Sequence, residues 1–274
     1  MIKDKLKITI LGCGSSMGVP RPNGVWGECD PNNKFNRRTR CSLLVQRINK
    51  SGEQTNVVID TGPDLRSQLI TAQVKSLDAV LYTHMHADHI HGIDDLRVFA
   101  LNKRKVNEKL YVYGHKATIA SLKRSFRYCF HSQDEHFYPS LLTAIEITAK
   151  DQIIISGAGG DLIFDPVLQL HGSIYSFGFK FNNIGYSIDL NDFASITKDK
   201  FKNLNLLIIE ALQIEPHISH LSLDDALNWI KYFNPHNAIL TAMSNNLDYN
   251  KINNKLPGNV KLAHDGLTLE LCID

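Results

Sequence analysis

Short apolar runs recur along the chain and alternate with segments in which apolar residues have helical spacing. Helices are predicted at residues 63–72, 89–101, 115–128 and 222–233. Elements that alternate in this way indicate an α/β (α+β) protein with two sheets between helical layers, although a doubly wound sheet also fits the pattern. The runs predicted as strands are KLKITIL, CSLLVQR, NVVID, DAVLYT, KLYVYG, VLQLH, FKFNNIGYSID, LNLLIIE, NAILTA and LTLELCI.

The predicted helix 222–233 has the best defined start. Ser222 is a candidate N-cap, and Asp225 follows three residues later, as in a capping box. Residues 129–141, CFHSQDEHFYPSL, have no clear periodicity. We predict a loop there, either at the border of a site or on the plain surface.

The composition limits the classes of function. The 274 residues include 43% hydrophobic residues, which is enough to bury a sizeable core. Thirty basic and twenty-eight acidic residues give a net charge of +2, so the molecule offers no strong overall field for nucleic acid or an anionic membrane. An attraction for phosphate must therefore come from a local cluster.

The cysteines and the apolar runs favour a cytoplasmic protein. Five cysteines are scattered without a C-x-x-C pair, which argues against a disulfide framework and suits a reducing compartment. The start of the chain has no apolar signal-peptide core. LNLLIIEALQI is about half as long as a membrane span and contains Glu210, so we predict a buried strand there.

The stretch THMHADHIHG carries the candidate chemistry. His84 and His86 follow an apolar strand and point the same way in extended backbone, so they can converge on one metal ion. A turn into the next helix would direct Asp88 and His89 to a second ion about 3.5–4 Å away. An isolated histidine is more commonly solvated or part of the core, but this pattern at a strand end favours metal binding. His91 falls outside the pattern and is expected to be structural.

These motifs resemble the metallo-β-lactamase superfamily. The histidine motif combines with the upstream NVVIDTGPD and the downstream GYSIDL. The resemblance extends from residue 8 to about residue 270 and implies a single domain over residues 1–274 with the four-layer αββα sandwich. A narrower similarity is to the branch that contains the cyclic-ribose-phosphate phosphodiesterase of phosphonate breakdown, whose wider relatives include the tRNA-processing nucleases. It is carried by GCGSSMGVPRP, WGECDP, NRRTRCS, GIDDLR, HLSLDDAL, LDY and DGL.

The resemblance implies a set of metal ligands at one edge of the two sheets. The first ion would be held by His84, His86 and His171. The second would be held by Asp88 and His89, with Asp189 bridging both ions. Asp60 would orient the histidine loop through hydrogen bonds. Imidazole and carboxylate ligands permit zinc, manganese or iron, and we expect one or two ions of manganese or zinc.

The chain departs from the family at the last ligand. The family commonly has L-T-H-x-S-H, whereas this chain reads LTAMSN, with Ala242 in place of a ligand histidine. Asn245 replaces the histidine that some relatives use for a structural zinc, and only Cys29 remains near the first loop, so we predict no structural zinc. We expect one firmly held ion and a weaker second one. His264 is a candidate to compensate, and a structural role is the alternative.

The resemblance also implies catalytic roles. His220, in ISHLSLDD, would be the general acid and a phosphate contact, and Asp88 would act as a ligand in catalysis. A capping or surface role is the alternative for His220, and His217 nearby is expected to matter less. The glycine-rich GCGSSMGVP matches neither standard nucleotide-binding pattern, but a loop that lines the metals is compatible with it.

Three arginines follow within four residues of one another, in NRRTRCS. Such a charge run is usually a solvated surface, but the guanidinium fork also suits phosphate, and the family has a similar basic segment near its site. The sequence leaves these two interpretations open. The residues are Arg37, Arg38 and Arg40.

These observations favour a metal-dependent phosphodiesterase for a small phosphate ester, such as a cyclic ribose phosphate or a nucleotide. An RNA-processing nuclease is an alternative that the modest net charge disfavours. Hydrolysis of a lactam or thioester fits the fold, but the arginine cluster favours phosphate. A nucleotide-binding protein whose catalysis lapsed with the histidine at position 242 is the remaining class. We expect no membrane partner and no strong nucleic-acid binding, and the oligomeric state stays open, with a homodimer as one option.

Overall fold

The computed structural model describes residues 3–132 and 139–273. The strands in these ranges are β1 Asp4–Gly12, β2 Ser42–Ile48, β3 Gln54–Ile59, β4 Ala79–Leu81, β5 Leu110–His115, β6 Leu142–Ile147, β7 Ile153–Ile155, β8 Leu162–His171, β9 Ile174–Phe181, β10 Ile184–Ser187, β11 Asp192–Phe193, β12 Leu206–Glu210, β13 Asn237–Thr241, β14 Val260–Leu262 and β15 Leu267–Ile273. The α-helices are α1 Leu65–Thr71, α2 Ala87–Ile90, α3 Arg97–Lys105, α4 Lys116–Ser125, α5 Arg127–Phe130, α6 Leu223–Phe233 and α7 Tyr249–Asn253. Short 3-10 helices lie at Lys34–Asn36, Ile93–Leu96 and Lys198–Phe201.

The described strands form two sheets. The first has the order β15-β1-β2-β3-β4-β5-β6, in which β3 to β6 are parallel. The second has the order β11-β8-β9-β10-β12-β13-β14, with β7 beside β8, and its strands β10, β12, β13 and β14 are parallel. Each sheet therefore combines an antiparallel part with a parallel part whose strands end on the same edge.

Two apolar cores explain the layers. One lies between the sheets and extends to α6, and it contains Leu43, Phe179 and Phe233. The other lies between the first sheet and the helices from α1 to α5, and it contains Val80 and Leu122. Sheets that bury both faces need a helical layer on each outer side. The prediction of a four-layer αββα sandwich is confirmed.

Local sequence signals set several element boundaries. Ser222 and Asp225 form the reciprocal capping box that the sequence predicts at the start of α6. The run FKFNNIGYSID is not one strand, because Asn182 has a φ of 47° and turns the chain between β9 and β10. The predicted helix 89–101 is divided into α2, a 3-10 turn and α3. In the predicted loop 129–141, residues 133–138 lie outside the described residues.

The ends of the parallel strands bring the polar residues together. Asp60 follows β3, His84 comes shortly after β4, and Asp189 follows β10. Glu210 is the last residue of β12, and Ala242 directly follows β13. Since the carboxyl ends of parallel strands share one edge, loops that begin there form a common site.

Candidate metal centre

Three histidines from two sheets form the first cluster. His84 and His86 are on the loop after β4, and His171 ends β8 of the second sheet. Their nearest ligand atoms all lie within 4.8 Å of one another. The ring of His84 lies 4.5 Å from that of His86 and 5.1 Å from that of His171, centre to centre. His84 and His171 are buried, whereas His86 is exposed.

A second cluster of carboxylates and imidazoles adjoins the first. The Nε2 atom of His89 lies 2.9 Å from Oδ2 of Asp189 and 3.1 Å from Oδ2 of Asp88. His84, His89 and Asp189 also bring three ligand atoms within 4.8 Å of one another. Asp189 thus faces both clusters, which is the position that the sequence comparison with the family implies for it.

Hydrogen bonds fix the orientation of these imidazoles. The buried carboxylate of Asp60 accepts from Thr83 N at 2.8 Å, from Thr83 Oγ1 at 2.7 Å and from His89 Nδ1 at 2.8 Å. Because the Thr83 hydroxyl proton goes to Asp60, its oxygen accepts from Nδ1 of His84 at 3.0 Å. Nδ1 of His171 donates to Ser219 O at 2.7 Å. These histidines therefore turn Nε2 towards the cluster.

The donor set fits a divalent metal ion. Nε2 of His84 is buried and forms no hydrogen bond. With its proton on Nδ1, this nitrogen presents a lone pair to the space between the imidazoles, and a buried unpaired acceptor is costly unless something binds it. Nε2 of His171 and Nδ1 of His86 are 3.3 Å apart in the same space. Convergent neutral imidazoles next to carboxylates suit zinc, manganese or iron.

Burial and charge shift the pKa values in directions that suit this role. Burial lowers the pKa of His84 well below its usual value and also lowers that of His171, which favours the neutral, metal-binding form. Burial would lower the pKa of His89, but Asp189, Asp88 and Asp60 raise it well above its usual value. Burial opposes ionisation of Asp189, but His89 holds its pKa well below the usual range. A proton and a cation therefore compete for the Nε2 atom of His89.

His220 lies beside the second cluster and is held by a buried glutamate. Its Nδ1 atom is 2.8 Å from Oε1 of Glu210 and 3.3 Å from Oδ1 of Asp189. Glu210 is fully buried and also accepts from Leu221 N at 3.1 Å. Burial raises the pKa of Glu210 to about 7. Burial opposes protonation of His220, but the hydrogen bond and the charge of Glu210 raise its pKa to about 9.

A cavity of about 300 Å³ opens next to these residues. Asp88, His89, Asp189 and His220 form one side of it. Its other lining residues come from the loop after β1, the β12–α6 loop and the end of β13, together with Cys41. They are Gly14, Ser15, Ser16, Met17, Arg21, Cys41, Leu212, Gln213, His217, Ala242 and Ser244. The sequence does not predict that Arg21 and Gln213 line the site, although the motif GVPRP could have indicated Arg21. His217, which is expected to matter less than His220, also lines the cavity.

The three predicted arginines do not line this cavity. Arg38 is buried, and its guanidinium donates to Ser244 O at 2.9 Å and to Leu247 O at 2.6 Å. The prediction that Arg38 contacts substrate is corrected, because its donors are used inside the protein. One guanidinium nitrogen of Arg40, Nη1, contacts both carboxylate oxygens of Asp64, at 3.1 and 3.0 Å. Arg37 is exposed and stacks over Trp26. Arg37 and Arg40 do not line this cavity, so the structure gives no support at this site for the phosphate role predicted for them.

The structure shows the surroundings of Ala242, which replaces the ligand histidine of the family, and of His264, the candidate to compensate for it. Ala242 lines the cavity and supplies no ligand atom. His264 stacks on Phe35, with ring centres 4.4 Å apart, and its Nδ1 contacts Asp265 O. Since His264 is engaged with Phe35 and is not among the lining residues, it does not compensate for Ala242. His91 is exposed and packs against Phe126, as expected for a structural residue.

A family model described as a beta-lactamase superfamily domain matches residues 55–243, more than half of the chain. The chain belongs to the metallo-β-lactamase superfamily. Its His and Asp groups could hold a metal ion. A crystal structure described as a new diphosphatase from the PhnP family is similar to it with a TM-score of 0.85 and 30% identity, covering 98% of this chain and 99% of that chain. The predicted resemblance to this branch is confirmed.

The matches to two curated relatives cover only part of each relative. An octanoyltransferase of Porphyromonas gingivalis is 29% identical over 266 residues, which are 96% of this chain and 51% of the relative. A ribonuclease Z of Clostridium kluyveri is 24% identical over 120 residues, which are 43% of this chain and 33% of the relative. The chain thus spans about half or less of the length of these relatives. Within the described residues, no helix combines the length and the apolar character needed to cross a bilayer.

Proposed function

We propose that this protein is a metal-dependent phosphodiester hydrolase that acts on a small phosphate ester. The observation that carries the proposal is that Asp189 shares one candidate metal group with His84 and His89 and another with His171 and His220, beside a cavity that His220 also lines. Two adjacent sites of this type suit an in-line displacement at phosphorus, because one group must be activated and another stabilised as it leaves.

In this proposal the two clusters hold manganese or zinc. His84, His86 and His171 would hold the first ion, Asp88 and His89 would hold the second, and Asp189 would contribute to both. When bound, such ions supply a Lewis acid for the phosphoryl group and lower the pKa of water towards neutrality. The chain presents its ligands already oriented, because Asp60 and Thr83 fix the two imidazoles of His84 and His89.

His220 supplies the proton that the leaving oxygen takes up. Its Nδ1–H donates to Glu210, so Nε2 is left for the cavity. The raised pKa of His220 keeps this ring protonated at neutral pH, which is the form a general acid needs. Glu210 is a positioning residue, since it holds the ring and stabilises its charged form without lining the cavity.

Two of the relatives support phosphorus chemistry. The PhnP-family structure is named as a diphosphatase, and the curated relative from Clostridium kluyveri is named as a ribonuclease. We favour a small substrate such as a cyclic ribose phosphate or a nucleotide, because the cavity of about 300 Å³ is at the lower end of the range for small-molecule sites. A net charge of +2 gives little general attraction for RNA.

The test is a substrate panel on one preparation. The full-length protein, stripped with a chelator and reloaded with manganese or zinc, is assayed with bis-p-nitrophenyl phosphate, a cyclic ribose phosphate, a β-lactam and a thioester. We expect hydrolysis of the phosphodiesters that is lost on stripping and regained on reloading. Turnover of the lactam or thioester alone would overturn the proposal. Metal loading without any turnover would favour a binding protein instead.

A further inference from the structure

Arg21 lines the cavity, but the proposed function gives it no role. Among the lining residues that the structure describes, it alone carries a permanent positive charge. Its side chain is half-buried, and none of the described residues forms a hydrogen bond or ion pair with its guanidinium. An arginine that lines the same cavity as two carboxylates, yet pairs with neither, is available to an anionic ligand.

The loop that carries Arg21 is held in place at several points. Ser15 N donates to Met243 O at 3.1 Å, and Gly14 N donates to Thr39 O at 2.7 Å. Val19 and Arg38 exchange two backbone hydrogen bonds of 2.9 Å each. Arg21 itself closes a tight turn, in which its N–H donates to Val25 O at 2.9 Å. A site on such a fixed loop loses little entropy when the ligand binds.

Sequence features of the loop are explained by this close packing. A Cβ atom at Gly14 would lie 2.9 Å from Thr39 O, so a larger residue would push the loop away from the sheet. Gly18 has a φ of 64°, which favours glycine. Arg38 secures the partner segment through its two carbonyl contacts near residue 245. Arg38, which the sequence predicts as a phosphate contact, thus stabilises the loop that carries Arg21.

We propose that Arg21 binds the second phosphoryl group of a diphosphate ester while the metal centre holds the scissile one. This inference rests on the proposed function. Ions held by the two clusters would neutralise the charge of one phosphoryl group, so a plain phosphodiester would offer no second phosphoryl group for a separate guanidinium to bind. A neighbouring phosphoryl group supplies two oxygens that match the arginine fork. Ser15, Ser16 and Gln213 line the same cavity and add neutral hydrogen-bonding groups.

The reaction needs no further reagent. The oxygen of one water bonds to the scissile phosphorus, and the bond from that phosphorus to the bridging oxygen breaks. Two phosphate monoesters result: the bridging oxygen leaves with its electron pair as part of the second one, and the two protons of the water pass to the new phosphate groups and from them to solvent. Arg21 would bind this second group both before and after cleavage, so its contribution falls mainly on substrate binding.

The experiment compares two substrates and three variants of the metal-loaded full chain. kcat and KM are measured for a diphosphate ester such as ADP-ribose and for bis-p-nitrophenyl phosphate. For Arg21→Ala we expect kcat/KM to fall about 10- to 100-fold on the diphosphate ester, mostly through KM, because a charge-assisted hydrogen bond contributes about 1.5–3 kcal/mol. On the plain diester the fall should stay below about threefold. Arg21→Lys should recover part of the loss.

Arg37→Ala is the matched control, because Arg37 is in the same basic region but stacks over Trp26 outside the cavity. It should leave both substrates unchanged. An equal loss on both substrates in Arg21→Ala would overturn the inference, since Arg21 would then act on the scissile group. No loss on either substrate would overturn it as well.

A binding measurement separates this inference from the proposed function. Protein with stoichiometric zinc is titrated with α,β-methylene-ADP and with AMP. We expect Arg21→Ala to weaken the first ligand at least tenfold more than the second. Such a result without turnover of any ester would refute the proposed hydrolase and leave the diphosphate site standing. Equal weakening of both ligands would overturn the site even if diesters are hydrolysed.

Discussion

The Nδ1 atom of His220 lies 2.8 Å from Oε1 of Glu210, and Glu210 has no exposed surface. The glutamate therefore acts on any reaction through the imidazole and not by contact with a ligand. The hydrogen bond and the charge of Glu210 raise the pKa of His220 to about 9, and His220 lines the cavity.

His220→Ala should be most harmful for substrates with a poor leaving group. We expect kcat to fall about 10²–10⁴-fold for an alkyl phosphodiester, because the leaving alkoxide needs a proton. The fall should be much smaller for bis-p-nitrophenyl phosphate, since nitrophenolate leaves without one. Glu210→Ala should show the same dependence on the leaving group with a smaller loss. His91→Ala, outside the centre, is the control, and an equal loss on both substrates would refute the role of His220 as an acid.

Restoring a histidine at position 242 should strengthen the second ion. Ala242 has a φ of 58°, a left-handed conformation that histidine tolerates better than most residues, and it borders the cavity next to His89 and Asp189. We expect Ala242→His to tighten the weaker ion at least about tenfold, or about 1.4 kcal/mol, in calorimetric titration of the stripped protein.

Ala242→Asn is the matched control for this change, because asparagine also accepts the left-handed backbone but lacks the imidazole. Its affinity for the second ion should stay near that of the native chain. If Ala242→His changed neither the stoichiometry nor the affinity, the second site would not include position 242.

Arg38 should matter for stability and not for substrate contact. Its guanidinium satisfies the carbonyls of Ser244 and Leu247 in the interior. Arg38→Met should reduce the free energy of unfolding by about 2–4 kcal/mol, because buried carbonyl groups lose charged donors. Arg37→Ala should change it by less than about 0.5 kcal/mol. Urea titrations of both variants test this, and equal stabilities would contradict the buried role.

The histidine loop could be predicted from a local signal, whereas His171, Asp189 and the role of Asp60 were implied by the resemblance to the family. H-x-H-x-D-H lies on one short loop, and Asp60 and Asp189 each close a run that is recognisable as a strand. The capping box at Ser222 is equally local. Residues of this kind need no knowledge of which strands become neighbours.

The partners of the arginines could not be predicted, because they are distant in the sequence and are brought close only by the fold. Arg38 meets carbonyls about two hundred residues later in the chain, and backbone carbonyls leave no mark in a sequence. Arg40 meets Asp64 only because β2 and β3 are neighbours. Arg21 reaches the cavity because the loop after β1 pairs with residues 38 and 243, contacts that only the assembled sheets create.

Asp248 should make stability depend on pH below about 4. Burial would raise its pKa, but the N–H groups of Asp30 and Lys251 and the amide of Asn36 hold the pKa below its usual value of 3.8. A lowered pKa in the folded state stabilises the protein above the unfolded value, and this contribution disappears as the pH falls through the folded value.

Asp248→Asn should therefore cost about 1–2 kcal/mol at pH 7, because asparagine keeps the helix cap but loses the charge. The difference from the native chain should shrink at pH 3 and below, as urea unfolding at both pH values would reveal. Asp224→Asn, at an exposed position in the first turn of α6, is the control, with a change below about 0.5 kcal/mol at either pH. A difference that grew on acidification would contradict the assignment.

Anomalous X-ray diffraction from crystals of the zinc- or manganese-loaded protein tests the metal centre most directly. We predict one peak about 2.1 Å from Nε2 of His84 and at a similar distance from a ring nitrogen of His86 and of His171. A weaker second peak should lie beside Asp88, His89 and Asp189. Loss of the first peak in His84→Ala would support the assignment. A fully loaded crystal with its peaks elsewhere, or with none near His84, would contradict it.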